Sequence, residues 1–149
     1  LCFKRIHGEF EMKGWRHFQH MADIGVHGFG ASLAEAYEQA ALAMTAVITD
    51  PASVRQAEIV AVECASPDRE LLLVDWLNAW VFEMATRRML FSRFQATLAD
   101  GGVKGRAWGE ALERARHRPA VEVKGATYTE LRVWQAADGL WHARCVVDV

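Results

Sequence analysis

Two aspartates and a histidine, drawn from the two ends of this 149-residue chain, are the residues best suited to shared chemistry. His20 and Asp23 stand three apart in His20-Met21-Ala22-Asp23-Ile24-Gly25, a glycine-punctuated stretch after an aromatic segment. Asp148 follows the apolar run Cys145-Val146-Val147 and precedes Val149. An aspartate beside Val149 offers oxygen donors at one strand end, and a second aspartate from another strand could complete a hard-cation site. Calcium and magnesium prefer carboxylate and carbonyl oxygens, whereas zinc would favour the histidine nitrogen. Two carboxylates held close repel each other unless a cation or a proton sits between them. Each residue also has an ordinary reading. Asp23 suits an Asx-turn or a bulge, Asp148 a solvated tail, and His20 a partly buried strand position.

Other chemistries find little support. The chain has no G-x-S-x-G, Walker A loop or H-E-x-x-H, and no cysteine at a known spacing from a histidine. Gly25, Gly28 and Gly30 run in the wrong order for a dinucleotide loop. A hydrolase using Asp23 and Asp148 as an acid/base pair would need separated pKa values, a pocket and a nucleophile or activated water. The sequence supplies neither of the last two. Glu122 and Lys124 alternate onto one expected strand face, where an exposed ion pair is worth about 0–1 kcal/mol.

Composition narrows the classes further. Hydrophobic residues make up 52% and charged residues 24%, which suits one folded domain. A net charge of −2 argues against strong direct nucleic-acid binding, which usually needs a basic face. Arg114, Arg116, His117 and Arg118 form one local basic cluster, read as an arginine-rich solvated loop or as a small patch. Cys2, Cys64 and Cys145 lack C-x-x-C spacing, so a zinc site or disulfide framework is not expected, and a reducing cytoplasm fits. Cys64 and Cys145 read as small apolar strand residues. No apolar run reaches the roughly 18 residues of a membrane span, and LCFKRIHGEFEMKGW lacks a signal-peptide core. Residues 1–13 read as a flexible N-terminal extension, and 14–149 as one domain.

The elements that must position these residues follow from periodicity. Trp15 to His20 and Ile24 to Phe29 alternate as strands. Ser32 with Glu35 predicts a capping box, the carboxylate returning to the Ser32 N–H. It opens a helix with apolar Leu33, Ala36, Tyr37, Ala40, Ala41, Met44 and Val47, ending near Asp50-Pro51. Ala57 to Ala65 alternates as a strand, and Asp68 caps a long helix whose Trp76, Trp80 and Phe82 are read as core. Phe91 to Ala99 and Val103 to Glu110 are strands around Asp100-Gly101-Gly102. Ala120 to Trp134 is expected to pair with Trp141 to Val147 across Asp138-Gly139. This order predicts an α+β, single two-layer domain: a mostly antiparallel sheet with two main helices on one face.

With these pieces in order, the sequence resembles the archease family. His20-Met21-Ala22-Asp23-Ile24-Gly25 is similar to that family's opening H-T-A-D-I-G. The resemblance continues through Ser32 to Tyr37, the Ala43-Met44 region, the Leu71-to-Trp80 helix, Gly109-Glu110, His117 and Val123-Lys124-Gly125-Ala126-Thr127-Tyr128, to Val147-Asp148-Val149. Met21 replaces the common Thr, Gly125 the common Ala, and Thr129 a frequent His.

The resemblance implies a non-catalytic, cytoplasmic protein cofactor. Its partner would be an RtcB-type RNA ligase of tRNA splicing and RNA repair, whose guanylylation and multiple turnover it promotes. The alternative is a chaperone-like modulator of a tRNA methyltransferase. A divalent metal is implied, calcium with magnesium or manganese as alternatives. Its ligands would be Asp23, Asp148 and Val149, the last through a backbone or terminal oxygen, with His20 a candidate support. No membrane partner is expected.

Overall fold

Side-chain caps fix where the long helices begin. The protein is seen as a computed structural model. It describes residues 12–149 and, before them, the backbone of strands β1 (Lys4–Ile6) and β2 (Glu9–Glu11), which pair antiparallel. The expected N-terminal extension, residues 1–13, otherwise lies largely outside the described residues. Ser32 Oγ accepts the Glu35 N–H at 3.1 Å and opens α1 (Leu33–Ile48). The return arm differs from expectation: the Glu35 carboxylate takes the Ala31 N–H at 2.7 Å, one residue earlier. Asp68 Oδ1 accepts the N–H groups of Glu70 and Leu71 at 2.8 and 3.1 Å and opens α2 (Arg69–Arg87).

The remaining strands are β3 (Gly14–His20), β4 (Asp23–Gly30), β5 (Glu58–Ala65), β6 (Met89–Ala99), β7 (Gly102–Ala111), β8 (Gly125–Ala126), β9 (Arg132–Gln135) and β10 (Trp141–Asp148), with a short α3 at Arg114–His117. The α+β class holds and every pairing is antiparallel. The strands divide between two main sheets. The larger runs β3-β4-β10-β8 with β9 also on β10, and the smaller runs β5-β7-β6.

Helix α1 packs against β4 of one sheet and β6 of the other, joining the two through a shared layer. Gly28 permits the close approach. A Cβ there would lie 2.2 Å from Ala40 N and 2.3 Å from Ala36 O. Around this layer Trp76, Trp80 and Phe91 are fully buried, and the ring centres of Trp76 and Trp80 meet edge-on at 5.4 Å. Trp76 donates its indole N–H to Tyr37 O at 3.0 Å, so its burial leaves no donor unmet. Phe82, expected in this core, is instead 63% exposed. It lies two residues from Trp80, roughly 200° around the helix, and so faces away from the inward Trp76–Trp80 stripe.

Two further expectations change. The long strand over Ala120 to Trp134 shrinks to β8 and β9, because Ala120 donates to Ile48 O and Lys124 to Asp148 O, both at 2.8 Å, outside a continuous ladder. Glu122 and Lys124 therefore do not share a strand face. Within the Arg114–Arg118 cluster Arg114 and Arg118 are exposed, as a solvated segment requires, but Arg116 and His117 are not free charge. Arg116 clamps the Glu110 carboxylate with two bonds of 2.7 Å. The buried His117 accepts the Glu113 N–H on Nδ1 and so donates from Nε2 to Glu110 Oε2 at 2.9 Å. Arg116, with the Arg55 N–H and His117 adding to it, holds the Glu110 carboxyl far below the usual carboxylate range.

Candidate metal-binding end of the central strands

The tight turn after His20 creates the candidate site. His20 and Asp23 face each other in register where β3 turns into β4, and between them Met21 takes φ 53 and stands 90% exposed at the tip. β4 then runs antiparallel to β10, with Ile24 opposite Val147. The next positions outward are Asp23 and Asp148. Opposed residues in an antiparallel pair project from the same face with Cβ atoms about 4.5–5.5 Å apart. The chain thus delivers its two singled-out aspartates to one corner of the larger sheet, and to the face away from α1.

Main-chain contacts tighten this corner. The Val149 N–H donates to Asp23 Oδ1 at 3.4 Å. The Lys124 N–H donates to Asp148 O at 2.8 Å, and Gly125 pairs with Asp148 across β8. Asn78 on α2 anchors β8 from the other side, its side-chain oxygen accepting the Ala126 N–H at 2.8 Å. Asp148 is exposed, while Asp23, His20 and Val149 are half-buried. All four positions taken from the sequence, His20, Asp23, Asp148 and Val149, therefore converge.

The donor chemistry fits a hard cation under one condition. Among the described residues, no three His, Cys, Asp or Glu side chains cluster closely enough to hold a metal. Asp23 and Asp148 would need a main-chain or terminal oxygen as a further ligand, which Val149 is placed to offer. A divalent ion there would neutralise two adjacent carboxylates.

What the sequence reading missed lies farther along the same face. Arg16, His27 and Arg144 fall in one row across β3, β4 and β10, and Arg132 faces Arg144 from β9. Arg16 Nε donates to His27 Nδ1 at 3.1 Å, so His27 carries its proton on Nε2 and donates it to His142 Nδ1 at 2.9 Å. Burial first, then the charge of Arg16, lowers the His27 pKa from 6.5 to about 3. The signal was available: Arg16, His27 and Arg144 share strand parity with His20, Asp23 and Asp148. Only the register reveals the row. A larger cleft, about 720 Å³, lies elsewhere, lined by Met84, Arg88, Leu112 and Val121 among others.

Comparison with known proteins bears on this geometry. The family model of the Archease protein family matches residues 15–149. A protein archease of Pyrococcus abyssi is 35% identical over 142 residues, covering 93% of this chain and all (100%) of that protein. Another, of Methanothermobacter thermautotrophicus, is 39% identical over the same 93%. The solution structure of Methanobacterium thermoautotrophicum protein 1598 superposes with a TM-score of 0.79 at 38% identity, covering 91% of this chain and 99% of that one. A Thermotoga maritima crystal structure, described as an archease and "possible chaperone", shares the fold with a TM-score of 0.55 at 18% identity, over 90% of this chain and 96% of that one.

Proposed function

The chain belongs to the archease family, and on that premise we propose that it is a metal-binding protein cofactor of an RtcB-type RNA ligase. It promotes guanylylation and multiple turnover of that ligase in tRNA splicing and RNA repair, in the cytoplasm, without catalysing a reaction itself. The observation that carries this reading is the meeting of Asp23, Asp148 and Val149 at one corner of the sheet. A calcium ion, or magnesium or manganese in its place, would be held there by the two carboxylates and a Val149 oxygen, with His20 beside them.

A bound cation would supply concentrated positive charge next to the exposed hairpin tip. The protein's own residues do the rest. The β4–β10 ladder sets the spacing of the carboxylates, Lys124 and Gly125 tie down the Asp148 backbone, and Met21 offers an apolar contact to a docking partner. The described helices include none long and apolar enough to cross a membrane, and no membrane partner is part of the reading.

The test is multiple-turnover RNA ligation with substoichiometric amounts of this protein. Stimulation that disappears with Asp23→Ala and Asp148→Ala, in variants that remain folded, supports the reading. No stimulation of any such ligase, together with protection of a tRNA methyltransferase from aggregation, would favour the alternative, a chaperone-like modulator of a tRNA methyltransferase.

A further inference from the structure

The outer face of the larger sheet gathers positive charge that the chain-wide balance conceals. Arg16, His27, Arg144 and Arg132 cross four neighbouring strands in one row. Arg144 and Arg132 stand directly opposite each other, an arrangement that destabilises a sheet unless an anion shares it. Among the described residues the one ion-pair carboxylate on this row is Glu130, 3.5 Å from Arg144 Nη2. Among the described residues Arg16 and Arg132 have no ion-pair partner, and both are exposed. Arg16 commits its Nε to His27, which leaves the outer edge of its guanidinium to solvent.

Planar groups accompany the charge. Trp134 stacks on His142 with ring centres 4.8 Å apart and planes 8° from parallel. The guanidinia of Arg132 and Arg144 lie 4.3 and 5.3 Å from the Trp134 ring centre. Beside them a depression of about 360 Å³ is lined by Arg16, Phe18, His20, His27, Glu130 and Arg144, with the Phe18 ring lying across Gly25. That volume is at the lower end of small-ligand sites, enough for a nucleotide unit.

The geometry points to a single-stranded nucleic-acid segment a few nucleotides long as the occupant of this face. Its phosphates would meet the outer edges of Arg16 and Arg144, and a base would stack on the guanidinium–indole platform at Arg132 and Trp134. An acidic peptide would satisfy the charges but has no aromatic rings to stack on the platform, so the stacked arrangement favours nucleic acid. The face is continuous with the Asp23–Asp148 corner, about 13 Å away, four residues along β4 and β10. The inference stands independently of the proposed ligase role.

Fluorescence anisotropy tests it, with a labelled oligouridylate of about ten nucleotides and the whole protein, between about 20 and 200 mM salt. The two guanidinia that meet phosphates predict a slope of log K against log salt of roughly −1.4; Arg16→Gln should reduce its size by about 0.7 with a several-fold loss of affinity, and Arg132→Gln should weaken binding through the lost platform. Arg132→Lys keeps the charge and loses the plane, so it should preserve the slope while weakening binding. Lys104→Gln, an equal charge loss on the smaller sheet, is the control and should change neither; thermal unfolding verifies that each variant is folded. Absence of saturable binding overturns the inference. So does an equal loss with Lys104→Gln, or competition by an oligoglutamate peptide as strong as that of unlabelled oligouridylate.

Discussion

Acid should weaken this protein through His27. The imidazole is 2% exposed, accepts the Arg16 N–H on Nδ1 and donates to His142 from Nε2. Protonating Nδ1 would remove the acceptor and set a cation against Arg16, with Arg144 and His142 adding to the repulsion. The folded pKa falls from 6.5 to about 3, so above pH 6.5 the residue is neutral in both states and costs nothing. Below pH 6.5 the unfolded chain binds a proton that the folded one refuses, and stability falls by about 1.4 kcal/mol per pH unit until about pH 3. At pH 5 the loss is roughly 2 kcal/mol, a sizeable part of the usual margin of 5–15 kcal/mol. Urea unfolding of the parent and of His27→Gln at pH 7, 6 and 5 measures it. Glutamine retains a donor and an acceptor but cannot ionise, so its stability should fall less steeply over that range. His142, also lowered by burial, leaves a residual slope. Parallel pH profiles for parent and variant would refute the reasoning, whatever the absolute stabilities at pH 7.

Removing one of two adjacent carboxylates should leave unmetallated Asp23→Ala and Asp148→Ala at least as stable as the parent, while calorimetric titration shows their calcium affinity reduced; undiminished affinity would remove both residues from the site. Gly28→Ala, whose Cβ would lie 2.2 Å from the Ala40 N in α1, should cost about 1–3 kcal/mol or more by thermal unfolding, and a neutral effect would mean that α1 does not rest on β4. Glu110→Gln should unfold more readily than the parent at pH 7. Because the Glu110 carboxyl titrates below its ordinary 4.5, this stabilisation is present above pH 4.5 and lost as the pH falls further, so the two proteins should converge in acid. Leu77→Ala, at a fully buried position, should cost about 2–5 kcal/mol in a denaturant melt without altering calcium affinity of the folded form.

Local periodicity carried far, and failed where distant strands decide. Ser32 and Asp68 announce their helices because capping depends on residues two or three positions away. Asp138-Gly139 likewise announces the β9–β10 hairpin, closed by Gln135 opposite Trp141. Phe82 was misplaced because α2 is apolar enough that composition alone does not separate its faces. Arg116 and His117 looked like surface charge although their partner Glu110 is only six and seven positions upstream, because no pattern in the sequence announces the turn from β7 into α3 that brings them back to it. The convergence of Asp23 with Asp148 was expected through the family resemblance, whereas the Arg16–His27–Arg144 row required the register of three strands. Chain-wide charge of −2 averages that row away.

The hydrogen bond from Val149 to Asp23 joins residues 126 positions apart, so this corner is also a clock for folding. Closing a loop of that length costs about 4 kcal/mol of chain entropy beyond the length-independent part, and it is recovered only as the β4–β10 ladder zips. Such non-local pairing places the protein among slower-folding topologies. Until β10 arrives, β4 presents an unpaired edge, and β8 and β9 have no strand to join. Any ligand that needs Asp23 and Asp148 together therefore binds only chains that have finished this closure. A cation trapped at the corner would report, in a refolding experiment, the moment at which the central strand docks.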